Sequence, residues 1–540
     1  MLVSQTIDFV PLANPLLYPD PSFRRKKTLL LDGDFSFKEG ALGSYDDFSE
    51  VIRVPFAPES PDSGVHLSSS IGHDLAYGKD LILDSETPKG SLLLRIGASD
   101  FLSRVFLNGH LLGSHLGGYA PFGYDLSPFL HRGHNFLLIL VHDDPREGHP
   151  SGKQSAMKEP SGCFYSRVSG IWQSVSLEEA PENRLLSFRL VPELKSGNVR
   201  LTLFSNGEAP YRLEAYYENR LVGQTEGILN HEGSAQLSLK EIHPWEAGAG
   251  WLYDLKIFYG EDEVDSYFGL REVGYDGLKF TLNGKPLFER FVMDQGYYGT
   301  GLYTPKEGPE AYKRDIALAQ SLGFNGARLH QKIFDPRYLY LADQAGFLVS
   351  EEFPSWGVDY ASPRELSECL AEWDEILHRD INHPSIVTWV PLNEAWENAR
   401  GEGRLLAYPE TLYRWTKEWD PSRPCLDVSG GHHGHATDLF DAHDFGDPDE
   451  LSRVVSTLEK EGRLDVKWLY SKKKMGESIA YPEKAPVALS EIGGLSLKGQ
   501  GGWGYHSFKN GEALALRYAA LVAPLLASKM ISGFGYVQLY

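Results

Sequence analysis

The sequence reads WVPLNE at residues 389–394 and PVALSE at residues 486–491. Each segment is a short, mainly apolar run that can form a buried strand, and each ends in a glutamate. In a barrel of parallel strands, catalytic groups lie at the carboxyl ends of the strands. One glutamate there can protonate a leaving oxygen while a second attacks an anomeric carbon, as glycoside hydrolysis requires. The two segments therefore predict a parallel barrel with Glu394 and Glu491 as its catalytic pair.

The region from residue 274 to residue 540 carries the alternation expected of such a barrel. Helical segments separate apolar strand candidates, and we predict a (β/α)₈ TIM barrel here. The sequence ends directly after the eighth strand, so we expect no last helix to cover that strand. The predicted strands are 288–294, 327–330, 347–352, 386–393, 424–428, 439–443, 487–491 and 531–539. The predicted helices are 310–321, 336–344, 363–379, 410–418, 449–461 and 512–528.

The first half of the sequence is typical of antiparallel β-structure. Residues 1–180 contain many short β-prone runs, which favour a jelly-roll sandwich. The dipeptide Asn108-Gly109 lies between two such runs and predicts a tight hairpin, because both residues tolerate positive φ angles. Residues 181–273 continue with shorter, evenly spaced strands, and we predict an immunoglobulin-like sandwich without catalytic residues.

Composition excludes several functional classes. The 540 residues carry a formal net charge of −22 and a pI near 5.3, which argues against nucleic-acid and anionic-membrane partners. Neither an apolar signal region nor a membrane-spanning run is found. The three cysteines, Cys163, Cys369 and Cys425, are too few and too far apart for a disulfide framework. We expect a cytoplasmic enzyme. The basic run 472–474 favours a solvated loop, although it could bind an acidic substrate.

Further polar and aromatic residues near the predicted strand ends are candidates for substrate binding. Aromatic residues could form a platform for a sugar face. We expect Arg328 either to contact the sugar or to form an ion pair beneath the nucleophile. The candidates are Asn393, Asp294, Arg328, His330, Glu352, His443, Trp356, Trp503 and Tyr505.

A histidine cluster raises the question of a metal site. His432, His433 and His435 lie close together, with His443 and two aspartates following. The spacing lacks the i, i+4 helical arrangement of the zinc protease motif. We therefore predict no catalytic metal.

Short phrases along the chain resemble glycoside hydrolase family 2, the family of β-galactosidases, β-glucuronidases and β-mannosidases. In the first region these are VPFAPES at 54–60, NG at 108–109, GGYAPF at 117–122 and SGIWQ at 169–173. In the barrel they are LNGKP at 282–286, GFNGAR at 323–328 and NHPSI at 382–386. DQGYY at 294–298 and HQK at 330–332 resemble a poorly characterised bacterial branch.

The resemblance implies a mechanism and a substrate class. Glu394 would be the general acid/base and Glu491 the nucleophile, and Asn393 would bind the sugar 2-hydroxyl. A retaining exo-β-glycosidase acting on an oligosaccharide or glycoside is implied, with no required cofactor, although Mg²⁺ or Na⁺ near the site is compatible. A homo-oligomer is possible because strand eight would be uncovered.

The resemblance leaves several sugars possible as the substrate. A β-galactoside is the default expectation, and a β-glucuronide or β-mannoside would use the same mechanism. A carbohydrate-binding protein without catalytic activity is the alternative from another functional class. The presence of both Glu394 and Glu491 argues against it, because a binder needs neither a proton donor nor a nucleophile.

Overall fold

The structure is a computed structural model of the chain. It describes residues 2–44, 47–65, 67, 72–84, 88–144, 146–157, 159–395, 405–462, 464, 485–499 and 504–539. Within these ranges, no helix has both the length and the apolar character needed to cross a membrane.

The N-terminal region is a β-sandwich. The strands are β1 (Ser4–Thr6), β2 (Thr28–Leu30), β3 (Gly33–Glu39), β4 (Glu50–Val54), β5 (His73–Leu83), β6 (Ser91–Ile96), β7 (Ser99–Asp100), β8 (Leu102–Leu107), β9 (His110–Leu116), β10 (Phe122–Asp125), β11 (Gly133–Asp143), β12 (Gly170–Ile171) and β13 (Val175–Ala180). One sheet has the order β4-β3-β5-β11-β8-β9, with β1 added beside β5, and the facing sheet has the order β10-β6-β13-β2. Apolar side chains of both sheets, such as Phe37 and Leu94, meet in one buried core.

The hairpin predicted at Asn108-Gly109 is confirmed. The two residues join β8 to β9 and have φ angles of +51° and +82°. Positive φ at both central positions is what the right-handed twist of a two-residue hairpin requires.

The second region is a single bent sheet. Its strands are β14 (Leu185–Glu193), β15 (Asn198–Tyr217), β16 (Arg220–Ser238), β17 (Tyr253–Tyr259) and β18 (Asp262–Phe268). The first part of β15 pairs with β14 and its last part pairs with β17, while β16 follows it along most of its length. The sheet folds over one apolar core. The sandwich that we predicted here would have two sheets, whereas one continuous sheet forms both layers.

The barrel follows a small antiparallel sheet of β19 (Val273–Asp276), β20 (Lys279–Leu282) and β21 (Lys285–Pro286). Its parallel strands are β22 (Glu289–Asp294), β23 (Gly326–Leu329), β24 (Leu348–Glu352), β25 (Ile386–Val390), β26 (Phe440–Asp444), β27 (Val487–Gly493) and β30 (Ile531–Val537). They have the order β25-β24-β23-β22-β30-β27-β26, so the last strand in sequence, β30, pairs with the first, β22. A short pair, β28 (Leu495–Leu497) and β29 (His506–Phe508), lies after β27.

The fifth predicted barrel strand, at 424–428, is wrong as a continuous strand. Only isolated parallel bridges join Trp389 to Cys425 and Asn393 to Ser429. On its other side, side chains supply most of the contacts: Asp438 accepts from the Cys425 amide at 2.9 Å, and Asp441 accepts from the Gly430 amide at 2.9 Å. The segment keeps backbone hydrogen bonds on the β25 side, such as the Leu426 amide to the Trp389 oxygen, but it forms no continuous ladder.

The helices predicted between the barrel strands are confirmed, with ends displaced by at most a few residues. Their ends follow local chemistry: Asp335 caps α2 by accepting from the Arg337 amide, and Gly346 ends it in the left-handed conformation. The helices are α1 (Pro309–Ser321), α2 (Pro336–Ala345), α3 (Pro363–Asp380), α4 (Ala407–Trp419), α5 (Pro448–Glu461) and α6 (Gly511–Ala527).

The first sandwich and the bent sheet are both attached to the barrel by buried hydrogen bonds. Glu372 of α3 accepts from the Tyr119 amide at 2.7 Å, and burial raises the pKa of this glutamate to about 8. Arg271, after β18, donates to the backbone oxygens of Pro384 and Ile386 at 2.9 and 2.8 Å. The first sandwich therefore has a fixed place beside the barrel, so its loops can supply groups to the mouth.

Candidate active site

Glu394 and Glu491 face each other at the carboxyl end of the barrel. Glu394 follows β25 by four residues, and Glu491 lies in β27. Together with His443 of β26, they form a group in which one oxygen or nitrogen from each residue lies within 4.8 Å of the other two. The barrel thus brings two carboxylates that are far apart in sequence within a few ångströms of each other.

Glu394 sits on an unusual backbone. Its φ angle is +44°, in the left-handed region that side chains with a Cβ rarely occupy. Its amide donates to the Ser429 backbone oxygen at 2.8 Å, which holds the residue in this conformation. The side chain is 24% exposed, so it remains open to a ligand. Strained backbone of this kind is frequent at functional sites.

Glu491 is nearly buried and surrounded by positive charge. Arg328 Nη1 donates to its Oε1 at 2.5 Å, and His443 Nε2 lies 3.5 Å from the same oxygen. Burial alone would raise the pKa of Glu491, but the charges of His443, Arg328, His330 and Lys153 outweigh it. The pKa is consequently below the ordinary value of 4.5. The carboxylate is therefore held in its ionised form.

Arg328 donates hydrogen bonds to three residues at the base of the site. Besides Glu491, it donates to Glu352, and to Asn393 Oδ1 at 2.7 Å. Burial raises the pKa of Glu352, but Arg328 and His330 overcome this and bring it to about 2. Arg328 is only 2% exposed, and its placement corresponds to the ion-pair alternative from the sequence, not to the sugar contact.

His443 bridges the two glutamates. Its Nδ1 lies 2.8 Å from Glu394 Oε1, and its Nε2 lies 3.0 Å from Ser429 Oγ. Burial lowers its pKa, but the Glu491 and Glu394 carboxylates raise it above the ordinary value overall. The imidazole thus forms hydrogen bonds with Glu394 and Ser429 and lies 3.5 Å from Glu491 Oε1, which places it between the two carboxyl groups.

The same three residues have the spacing of a metal site, but their chemistry does not fit one. A metal ligand needs a neutral imidazole with a free lone pair. His443 directs both nitrogens at hydrogen-bond partners, and Arg328 already neutralises Glu491. The neighbouring His433 is held between Asp427 and Asp441, at 2.7 and 3.3 Å. We therefore interpret the group as two carboxyl groups and an imidazole that are held together by hydrogen bonds and charge.

The other predicted binding residues are distributed around this centre. Asn393 is buried beside Arg328, and His330 Nδ1 lies 3.0 Å from Glu352 Oε1. Asp294 is also buried; it accepts from the Gly296 amide at 2.9 Å and thus holds its own loop. These three side chains lie beneath the surface of the mouth.

Two aromatic candidates line the mouth itself. Trp356 is partly exposed and donates through Nε1 to the Asn393 backbone oxygen at 3.1 Å. Tyr505 is partly exposed and stacks on Phe445 with ring centroids 4.1 Å apart. Trp503 and the basic run 472–474 lie outside the described residues.

Sequence reasoning missed a contribution from the first sandwich. The loop after β11 reaches the barrel, where the Ser151 amide donates to the Trp356 backbone oxygen at 2.8 Å. Lys153 follows, and its Nζ lies 5.5 Å from the centroid of the Trp356 ring. No local pattern marks Lys153, because its position depends on how the two regions dock.

Comparisons with known proteins agree with this architecture. The family model described as "Glycosyl hydrolases family 2, TIM barrel domain" matches residues 279–463. A β-glucuronidase of Streptococcus agalactiae is 25% identical over 76% of this chain and 72% of its own length. A β-galactosidase of Leuconostoc mesenteroides is 26% identical over 68% of this chain and 36% of its own length.

Solved structures share the fold over nearly the whole chain. A Faecalibacterium prausnitzii β-glucuronidase superposes with a TM-score of 0.76 at 22% identity and covers 96% of this chain and 91% of its own. A β-galacturonidase from Eisenbergiella tayi bound to galacturonate gives a TM-score of 0.72 at 20% identity, covering 96% and 90%.

Proposed function

We propose, from the premise that this chain belongs to glycosyl hydrolases family 2, that Glu491 is the nucleophile and Glu394 the general acid/base of a retaining reaction. The chain is a glycoside hydrolase, and its class is that of the exo-acting β-glycosidases. The roles of the individual residues are inferred from the geometry of the mouth.

One observation carries the proposal: the two carboxylates approach within 4.8 Å. Retaining enzymes hold their carboxyl groups about 5–5.5 Å apart, because one of them must reach the anomeric carbon directly. Inverting enzymes need about 6.5–9.5 Å, which leaves space for a water molecule between the carboxylate and the sugar. The separation at this mouth supports retention.

In the first step, Glu491 attacks the anomeric carbon. Arg328 and His443 both approach Oε1, so among the described contacts Oε2 is the oxygen left to form the bond. As this bond forms, the bond between the anomeric carbon and the aglycone oxygen breaks, and Glu394 gives its proton to that oxygen. The products are a glycosyl ester on Glu491 and a free alcohol.

In the second step, Glu394 is a carboxylate and acts as a base. It removes a proton from water while the water oxygen attacks the anomeric carbon, and the ester bond to Glu491 breaks. Two displacements on the same carbon restore the original configuration. His443 holds Glu394 at 2.8 Å in both steps, which keeps its oxygen near the leaving and entering groups.

The experiment that tests this function follows the anomeric configuration of the first product. We expect the β-anomer of the free sugar to appear first in proton NMR spectra during hydrolysis of an aryl β-glycoside, before mutarotation equilibrates the anomers. Initial release of the α-anomer would contradict the retaining assignment.

Galactose and glucuronic acid are the two glycones that the named relatives support. The sequence-based expectation was a β-galactoside, and relatives named β-galactosidase match with 24–26% identity. Relatives named β-glucuronidase match with 25–27% identity, which supports the uronide alternative equally. A panel of nitrophenyl β-galactoside, β-glucuronide and β-mannoside separates these glycones.

Replacing Arg328 by methionine should shift the acid limb of the pH profile. Glu491 must be ionised to attack, so kcat/KM falls as the pH drops through the pKa of this carboxyl in the free enzyme. Arg328 helps to hold that pKa below 4.5. Without the cation the pKa rises, and we expect the acid limb of kcat/KM to move to higher pH.

Arg328→Lys is the matched control, because it keeps a positive charge at the same place while losing the two-pronged contact. We expect its acid limb to lie between those of the wild type and of Arg328→Met. An unchanged limb in the methionine variant, with the fold intact by circular dichroism, would show that Arg328 does not control the ionisation of Glu491.

A further inference from the structure

We infer that Lys153 determines the sugar specificity of this site, and that it selects a glycone bearing a carboxylate, a β-linked uronic acid. The inference deepens the proposed function and rests on it. Lys153 belongs to the first sandwich and not to the barrel that carries the catalytic pair.

The loop that carries Lys153 is rigidly docked on the barrel. The Gly152 amide donates to the backbone oxygens of Pro354 and Trp356 at 3.3 and 3.2 Å. Gly152 has a φ angle of +55°, and a Cβ at this position would lie 2.2 Å from the Gln331 backbone oxygen. Only glycine permits this approach, so the position of the next residue, Lys153, is determined by backbone contacts.

The ammonium of Lys153 is nearly buried and has no anionic partner among the residues that the structure describes. The residue is 9% exposed, and within the described ranges its Nζ forms neither an ion pair nor a hydrogen bond. It faces the Trp356 ring, with its Nζ 5.5 Å from the ring centroid. Burying a cation without a partner is unfavourable, and a bound anion would compensate that desolvation.

The position of Lys153 in the mouth indicates that this anion is a substituent of the bound sugar. Lys153 lies over Trp356, whose Nε1 donates to the backbone oxygen of Asn393, the residue before Glu394. The ammonium is therefore at the mouth, and its charge lowers the pKa of both Glu491 and His330. The other cation near the nucleophile, Arg328, is already occupied by Glu491 and Glu352. Lys153 is therefore the cation that remains available to a substrate among the described residues around the nucleophile.

The walls beside Lys153 fit a sugar ring. Phe164 and Trp356 lie with ring centroids 5.6 Å apart, and both are at least partly exposed. They offer apolar surface to a ring face, while the ammonium meets a substituent at the ring edge. A single ammonium matches the single negative charge of a C5 carboxylate. This chemistry favours a uronic acid over a neutral hexose.

The test compares uronides with the matched neutral hexosides. We expect the wild type to show a kcat/KM on nitrophenyl β-glucuronide or β-galacturonide at least about 100-fold above that on the corresponding glucoside or galactoside. In Lys153→Met, we expect the ratio of uronide to hexoside kcat/KM to fall about 100-fold, because the carboxylate loses its partner. Lys153→Arg should retain more of the ratio than the methionine variant.

Lys27→Met is the control, since Lys27 is an exposed lysine of the same sandwich that pairs with Glu179 at 2.5 Å. Its ratio should equal that of the wild type. An equal loss on both substrate classes in Lys153→Met would overturn the inference and leave the retaining mechanism untouched. A preference for a 6-sulfated galactoside over both uronides would overturn it as well.

Calorimetric titration separates this inference from the proposed function, because binding does not require turnover. Free D-glucuronate or D-galacturonate should bind to the wild type more tightly than D-glucose or D-galactose, and Lys153→Met should abolish the difference. If uronate bound no more tightly than neutral sugar, the inference would fail whatever glycoside was hydrolysed. If uronate bound tightly while hydrolysis proceeded with inversion, only the proposed mechanism would fail.

Discussion

Replacing Glu491 by alanine should abolish glycoside hydrolysis, with a loss in kcat of about 10⁴-fold or more, the scale observed when a covalent nucleophile is removed. The ester intermediate cannot form without its oxygen. The side chain is only 8% exposed, so its removal leaves a small cavity at the face of the sugar that it attacks. Azide can enter that cavity and attack an aryl glycoside, and we expect an α-glycosyl azide, identified by NMR.

The control is Glu512→Ala, which removes an exposed glutamate from the first turn of α6 and should keep full activity. A Glu491→Ala enzyme that hydrolysed a natural glycoside at the wild-type rate would exclude the residue as nucleophile. Formation of a β-glycosyl azide in this variant would assign the opposite face to Glu491.

Replacing Glu394 by alanine should slow hydrolysis by about 10²–10⁴-fold for substrates whose leaving group needs protonation. Aryl glycosides with very acidic leaving groups should lose much less in the first step, because their oxygen departs without a proton. For them the second step becomes limiting, since no base activates water. Stopped-flow measurement should then show a burst of the released phenol followed by slow turnover.

Azide should partly restore turnover in Glu394→Ala and yield a β-glycosyl azide, because it attacks the glycosyl ester from the face that Glu394 vacated. The isosteric Glu394→Gln variant is the control: it fills the cavity and should be restored less. A loss that is equal for good and poor leaving groups would contradict the role of Glu394 as the acid. An α-glycosyl azide would exchange the roles of the two glutamates.

The barrel was predictable because its signals are local. Apolar runs of strand length alternate with amphipathic segments, and residues such as Asp335 and Gly346 mark the ends of helices. The proximity of Glu394 and Glu491 was predictable for the same reason, since each glutamate ends an apolar run. The fifth strand was not predictable, because the segment 424–428 is apolar enough for a strand but bonds to its neighbour through Asp438 and Asp441 side chains.

The surroundings of the pair depend on contacts between distant parts of the chain. His443 was expected to bind a sugar hydroxyl, yet it lies between two carboxylates that reach it from other strands. Lys153 was not singled out, because only the docking of a sandwich loop onto Trp356 gives it a place in the mouth. A side chain's burial and charge partners follow from such packing, and a single sequence does not display them.

The backbone at Glu394 has a consequence for how such sequences diverge. At a φ of +44°, glycine or asparagine would relieve strain that a glutamate must bear. Selection for stability alone would therefore favour replacing Glu394, and under the proposed role selection for hydrolysis would keep it. In a lineage that abandoned catalysis and kept the scaffold, this would be an early position to drift. Under the proposed role, we expect a glutamate to persist here only in lineages that keep the reaction.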